Sequence, residues 1–161
     1  MEQLRSTVLA AATLLVGLSA GVFFAYSTSV MLALKRVDDR TFVDVMQKIN
    51  VAILNGWFLT VYVGALLAAV AAALLHLGGG HRQPLPWLVA AVVLYGVVFV
   101  VTAAINVPLN NQLNAAGPAA GIPDLAAVRA SFEADWVRWN LVRTVASAGA
   151  LLTLAIALLR R

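Results

Sequence analysis

The chain has 161 residues, of which 62% are hydrophobic and only 11% are charged, and its mean hydropathy is +0.91. This balance excludes an ordinary soluble globular domain. The formal net charge of +4 comes from basic residues spread over both termini and the connections, which suits lipid headgroups and topology better than a nucleic-acid surface. Because the chain has no cysteine, disulfides, thiolate metal sites and iron–sulfur clusters are excluded.

Four apolar segments each reach the roughly 20 residues that a helix needs to cross the hydrocarbon core of a bilayer. Nearly all of the charge lies between them, which predicts a multi-pass integral membrane protein of a bacterial-type inner or plasma membrane. The predicted fold is all-α: residues 1–161 form a single four-helix transmembrane bundle, with helices 2 and 4 extended beyond the bilayer on one side. The predicted spans are Ser6–Leu34, Asn50–Leu77, Trp87–Val107 and Asn140–Leu159.

The first two spans bring polar residues to one membrane face. The first span ends in the run Tyr26-Ser-Thr-Ser29, about 20 residues or ~30 Å from its start, which places Tyr26 near that face. Thr41-Phe-Val-Asp44 has the form of a capping box and predicts a helix start outside the bilayer. We expect this second helix to enter the membrane without a break, with Asn50 and Asn55 near the point of entry.

The second connection, Gly78–Pro86, is predicted to be a short turn on the opposite side of the membrane. The two histidines, His76 and His81, lie at this end without a nearby carboxylate or thiol, so no metal or haem site is expected. The third span ends in Asn106-Val-Pro-Leu-Asn-Asn111, where the proline should kink or stop the helix. The asparagines there either satisfy freed backbone groups or face a cavity, and the motif alone leaves both interpretations open.

The fourth span carries the only full charge inside an apolar segment, Arg143. Asp124 offers an N-cap for a helix that begins outside the membrane and runs into it. On that helix Trp136, Asn140, Arg143 and Ser147 share one stripe at helical spacing. Arg143 either extends to the interface or lines a polar pocket, and its asparagine and tryptophan neighbours favour the pocket.

Connectivity places the ends of helices 1 and 3 and the starts of helices 2 and 4 on the same membrane face. The polar residues of these four ends therefore lie at a similar depth and are predicted to line one pocket, open to lipid or to water on that side. These residues are Tyr26, Asn50, Asn55, Asn106, Asn110, Trp136, Asn140 and Arg143.

At these residues the chain resembles a family of small four-helix membrane proteins that includes the anthrone oxygenases of polyketide pathways. The likeness rests on Asn106-Val-Pro-Leu-Asn110, on Trp136-x-x-Trp139-Asn140-x-x-Arg143, and on a first helix that ends in Phe23-Phe-Ala-Tyr26-Ser27. It extends over essentially the whole chain. It implies that Asn106, Asn110, Trp136, Asn140 and Arg143 line the site, and it names no catalytic base.

The residue types suit the oxygenation of an electron-rich enolate, a reaction for which we expect no metal or other cofactor. Arg143 would stabilise the oxyanion, and Asn140 and Trp136 complete the expected catalytic group. We expect substrate contacts from Asn106, Asn110, Tyr26, Asn50, Asn55 and Trp139, of which Trp139, like Trp136, would stack on a planar ring. The nearest carboxylate, Asp135, points about 100° away from Trp136 on the helix, so water or self-ionisation of the substrate is an equal candidate for the base.

The charged stripe and the family resemblance together imply a membrane-embedded, cofactor-independent oxygenase that acts on a lipophilic aromatic or polyketide-type substrate. The alternative is a non-catalytic protein that binds a lipid or a quinone-like ligand, or an accessory subunit; a transporter ranks third because four spans look sparse for alternating access. The expected partners are a lipophilic small molecule and membrane lipids, without nucleic acid; a homo-oligomer is compatible with the sequence. We expect both termini on the cytoplasmic side.

Overall fold

The computed structural model describes residues 1–78 and 82–160, which form helices and short connections without any strand. Four of the helices are long and apolar enough to cross a membrane, by length and composition. The chain is an all-α membrane protein with four spans, which confirms the predicted fold class. Its helices are α1 Glu2–Leu34, α2 Asp39–Ala52, α3 Gly56–Leu75, α4 Leu85–Ala115 and α5 Leu125–Leu159; α2 is the one that does not span.

Two apolar clusters hold the helices together. In the membrane part, α1 packs on α3 and α5, and buried alanines such as Ala12, Ala65 and Ala150 let the helices approach closely. On one side of this bundle, α2 packs against α5 and the end of α4 through buried side chains that include Phe42 and Phe132. The two clusters are separate. Tyr26 and Trp136 belong to the second cluster, while Asn140 and Arg143 contact Phe23 of the first.

The second helix is not continuous, so the prediction of an unbroken entry into the membrane is wrong. Residues 53–55 form a turn between α2 and α3. Asn55 explains the break: its side-chain oxygen accepts a hydrogen bond from the Phe58 backbone N–H at 3.0 Å, and its amide donates to the Ala52 carbonyl at 2.8 Å. One asparagine therefore satisfies free backbone groups on both sides of the turn.

The start of α2 also differs from the predicted capping box. The helix begins at Asp39, and its cap is Asp38, whose carboxylate accepts hydrogen bonds from the Thr41 backbone N–H at 3.0 Å and the Thr41 hydroxyl at 2.7 Å. These bonds hold the pKa of the Asp38 carboxyl below its ordinary value. One turn further along α2, Asp44 and Lys48 form an ion pair, with 2.6 Å between oxygen and nitrogen.

Both α1 and α4 contain one widened turn of π-helix, at Tyr26–Val30 and at Thr102–Asn106. In each, a backbone N–H donates to the carbonyl five residues earlier, from Met31 to Tyr26 and from Val107 to Thr102. The second widened turn precedes Pro108 and gives its ring room, so α4 continues to Ala115 instead of stopping. Such turns are frequent at functional sites because they rotate the side chains that follow.

α5 begins and runs as predicted. The Asp124 carboxylate caps it by accepting from the Ala127 backbone N–H at 2.9 Å, and the helix then continues unbroken for 35 residues. Arg129 fixes its start to the first connection: the guanidinium donates to Glu133, to Asp39 and to the Val37 carbonyl. The predicted turn at Gly78–Pro86 is described only at its ends, because residues 79–81, like residue 161, lie outside the described part.

Candidate functional site

A cavity of about 180 Å³ lies where the break in the second helix separates α3 from α2. All five helices contribute to its wall, and the two widened turns contribute Tyr26 and Thr102. Of the residues that line it, only Arg143 carries a full charge. The polar lining residues are Tyr26, Asn50, Tyr62, Thr102, Asn110, Asn111, Asn114, Trp136, Asn140 and Arg143.

Arg143 is buried, with 6% of its surface exposed, and it is held from two sides. One terminal nitrogen donates to the Asn140 side-chain oxygen at 2.9 Å, and the other lies 3.5 Å from the Thr102 hydroxyl. The guanidinium carbon lies 4.6 Å from the centre of the Phe23 ring and 5.4 Å from that of the Trp136 ring. Amide, hydroxyl and aromatic faces therefore fix the cation, and each of them is formally neutral.

No acidic side chain pairs with this cation in the described part of the chain. The ion pairs there join Lys48 to Asp44 and Arg129 to Asp39 and Glu133, all outside the cavity lining. In addition, the Arg143 Nε–H has no hydrogen-bond partner among the described residues. Taking a charge out of water is costly unless it is paired, so the site favours an occupant that supplies negative charge.

Asn140 positions the guanidinium through a chain of hydrogen bonds to α1. Its amide nitrogen donates to the Phe23 carbonyl at 3.1 Å and to the Ser27 hydroxyl at 2.8 Å, while its oxygen accepts from Arg143. Ser27 in turn lies 2.9 Å from the Thr144 hydroxyl. With all three of its polar contacts fixed, the Asn140 amide has one orientation, and that orientation presents an acceptor to Arg143.

Trp136 forms an aromatic wall beside the cation. Its ring nitrogen donates to the Asn110 side-chain oxygen at 2.8 Å, and its ring lies 5.6 Å from the Tyr26 ring. At the outer end of the cavity the Asn50 amide donates to the Asn114 oxygen at 3.4 Å. The cavity thus has a cationic and aromatic end and an amide-lined end.

Six of the nine predicted site residues line this cavity, and three do not. Asn106 lies behind the wall, 1% exposed, where its amide nitrogen donates to the Trp136 carbonyl at 3.4 Å. Asn55 is exposed, and its side chain caps α3 instead of facing the cavity. Trp139 lies about 100° around α5 from Asn140 by helical geometry. Its ring contacts Arg138, with 5.8 Å between the guanidinium carbon and the ring centre. Contrary to the prediction, the structure therefore places these three residues outside the cavity.

Sequence reasoning missed Tyr62, Thr102, Asn111 and Asn114, which also line the cavity. Tyr62 stacks between two phenylalanines, with its ring 5.6 Å from Phe58 and 5.0 Å from Phe99. A signal was available for Tyr62 and Thr102, because each is a polar side chain inside an apolar span. Asn114 continues the series Asn106, Asn110 at intervals of four residues, and so shares their helix face.

The wall places the Arg143 guanidinium, two aromatic ring faces and several amides around one space. In residues 1–78 and 82–160 no three His, Cys, Asp or Glu side chains form a group that could hold a metal; His81 lies outside these ranges. Among the residues that line the cavity there is no carboxylate and no imidazole. The lining can orient and stabilise an anion, and it also contains the phenols of Tyr26 and Tyr62.

The family comparison agrees with the motifs on this wall. Searches of curated proteins and of solved structures find no match to the chain. A family model described as anthrone oxygenase matches residues 57–153, which is more than half of the chain and includes Asn110, Trp136, Asn140 and Arg143. The chain belongs to the anthrone oxygenase-like family.

Proposed function

We propose that this protein is a membrane-embedded, cofactor-independent oxygenase that acts on a lipophilic aromatic substrate. The observation that carries the proposal is a buried guanidinium without an acidic partner in the described chain, lining a cavity between transmembrane helices. An ionisable residue inside a membrane usually marks a functional site. Membership in the anthrone oxygenase-like family supports the same reaction class.

The proposed reaction begins with loss of a proton from the substrate, which leaves an enolate or phenolate. Its oxygen takes the place beside Arg143 where negative charge is stabilised. The electron-rich anion passes one electron to dioxygen, and the resulting radical and superoxide combine to a peroxide. A methylene carbon of an anthrone thereby loses two hydrogens and gains one oxygen atom as a carbonyl, and the second oxygen leaves as water. A hydroquinone gives a hydroxyquinone and water by the same balance.

The other side chains are assigned roles by their contacts. Asn140 holds the guanidinium in place, and Trp136 offers a ring face on which a planar substrate stacks. The amides of Asn50 and Asn110 line the cavity and offer hydrogen bonds to substrate oxygens. The described lining holds no carboxylate or imidazole, so the proton passes to water or to the bulk solution.

The test is oxygen uptake by the purified protein in lipid nanodiscs, with anthrone and with nonylhydroquinone as substrates. We expect uptake above background with at least one of them, together with the absorbance of the quinone product. Arg143→Met should lower kcat by about a hundredfold, the usual effect of removing one group that stabilises an oxyanion. Arg138→Met is the matched control, since Arg138 lies on the same helix, is exposed and does not line the cavity.

Equal uptake by the wild type and Arg143→Met, in preparations with the same helical circular dichroism, would contradict the proposal. Binding of both aromatics without any uptake would also overturn it, in favour of the non-catalytic ligand-binding alternative. Loss of activity in the Arg138→Met control would indicate that the assay reports general destabilisation of α5.

A further inference from the structure

The volume of the cavity limits what it encloses. A buried cavity of roughly 150 Å³ accommodates benzene, whereas sites for drug-sized ligands run to about 300 Å³ and more. At about 180 Å³, this cavity encloses a single substituted ring. This volume favours a single ring over a planar tricycle such as anthrone.

The mouth of the cavity is apolar on the side of the bilayer. Of the residues that line the cavity, Leu59 on α3 and Val107 on α4 are 41% and 40% exposed. Both lie deeper in the membrane than the amide-lined end, because Leu59 follows Leu54 into the span and Val107 precedes Asn111 and Asn114. These two exposed apolar side chains, one on α3 and one on α4, therefore join the cavity to the region of the lipid chains.

The rest of the lining supplies polar groups. Arg143, Asn140 and Trp136 lie on α5, and the Thr102 hydroxyl on α4 lies 3.5 Å from the Arg143 guanidinium. A molecule that satisfies both ends has an ionisable ring at Arg143 and an apolar chain that passes Leu59 and Val107. Its chain exchanges one lipid environment for another, so the chain adds little binding energy of its own and sets the orientation of the ring.

We infer that the substrate is a tailed single-ring phenol, of the hydroquinone or resorcinol type, whose ring occupies the cavity while its alkyl or isoprenoid chain stays in the bilayer. The oxidation of the ring follows from the proposed function, on which this inference rests. The binding of a tailed phenol can be tested separately. It distinguishes this chain from an enzyme whose site encloses a tricyclic anthrone.

Binding is measured in nanodiscs, with affinity expressed as the mole fraction of ligand in the lipid so that partitioning cancels. Nonylhydroquinone is compared with nonylbenzene, which lacks the ring hydroxyls, with methylhydroquinone, which lacks the chain, and with anthrone. We expect nonylhydroquinone to bind about tenfold more tightly than nonylbenzene or anthrone. Arg143→Met should remove the preference over nonylbenzene.

Variants at the mouth test the path of the chain. Val107→Trp and Leu59→Trp should each weaken the binding of nonylhydroquinone about tenfold and change that of methylhydroquinone by less than about twofold. Leu141→Trp is the control, because Leu141 is exposed on α5 and does not line the cavity. If one mouth variant fails to fold, the other carries the comparison.

These binding measurements separate the inference about a tailed phenol from the oxygenase proposal. Anthrone binding more tightly than nonylhydroquinone, or mouth variants that affect both hydroquinones equally, would overturn the inference and leave the oxygenase proposal standing. Tight binding of nonylhydroquinone that depends on Arg143 and on the mouth, without oxygen uptake, would support the inference and overturn the oxygenase proposal.

Discussion

At the scale of single residues, the site depends on how Asn140 holds Arg143. An isolated cation inside a membrane-spanning helix is energetically costly. Here the closest acceptor of the Arg143 guanidinium is the Asn140 side-chain oxygen, at 2.9 Å. The stripe that joins Trp136, Asn140 and Arg143 is readable from helical spacing, and all three residues are buried on one face, as predicted. Ser147 completes the stripe, but its hydroxyl bonds to the Arg143 carbonyl within the helix and does not line the cavity.

Replacement of Asn140 by alanine should destabilise the protein by about 1–3 kcal/mol, because the Arg143 guanidinium and the Ser27 hydroxyl lose a buried partner. Denaturant unfolding in mixed micelles measures this free energy. Asn111→Ala is the control, since Asn111 is exposed and makes no side-chain hydrogen bond within the described chain. Equal costs for the two variants would show that the Asn140 contacts carry no stability.

The variant Asn140→Asp tests whether the unpaired charge of Arg143 is needed for ligand binding. The aspartate keeps the shape of the amide, loses only the hydrogen bond donated to the Phe23 carbonyl, and gives Arg143 the acidic partner that the described chain lacks. We expect folding to be retained and the affinity for nonylhydroquinone to fall about tenfold, because the cation is then neutralised before the ligand arrives. An affinity equal to that of the wild type would contradict the view that unpaired charge recruits the ligand.

At the scale of elements, two local irregularities shape the site: the break between α2 and α3, and the widened turn before Pro108. The sequence predicted a disturbance at the second but not the break at the first. Asn55-Gly56 reads as an interfacial entry by polarity, yet it ends one helix and caps the next. The proline rule predicted a disturbance at Pro108 but not its form, since a widened turn and a stop both resolve the missing donor. Because Asn106 and Asn110 are four residues apart and lie on nearly the same face of α4, the sequence alone could not separate Asn110 on the cavity wall from Asn106 behind it.

The sequence predicted that Asn55 contacts the substrate, whereas its capping role predicts an effect on stability and not on binding. Asn55→Ala should cost about 1 kcal/mol of stability through loss of the helix cap, while Asn55→Asp should restore it. The affinity for nonylhydroquinone should stay within about twofold of the wild type in Asn55→Asp. A tenfold loss of affinity in this stable variant would instead return Asn55 to the binding site.

At the scale of the whole molecule, the cavity lies toward the face from which α2 and the start of α5 project. Length and composition sufficed to predict the four spans, since twenty apolar residues in a row have few alternatives in a bilayer. Orientation is a separate prediction, because several basic residues on the cavity side are paired with carboxylates or lie in the long third connection. We expect both termini on the cytoplasmic side and the cavity toward the opposite leaflet.

Single cysteines test this orientation cleanly, because the chain has no cysteine of its own. In intact cells we expect a membrane-impermeant maleimide to label Lys48→Cys on α2, whose side chain is exposed, and to label Glu2→Cys only after lysis. The exposed ion pair lost with Lys48 contributes little to stability, so the fold should persist. The reverse labelling pattern would place the cavity in the cytoplasmic leaflet.

In the proposed reaction, Arg143 stabilises the anionic ring that reacts with dioxygen inside the membrane. Turnover under isotopically labelled dioxygen, followed by mass spectrometry of the quinone product, tests this role most directly. We predict one labelled oxygen atom in each product molecule formed by the wild type, with product formation reduced about a hundredfold in Arg143→Met. Product that carries no label, or labelled product formed at the same rate by Arg143→Met, would contradict it.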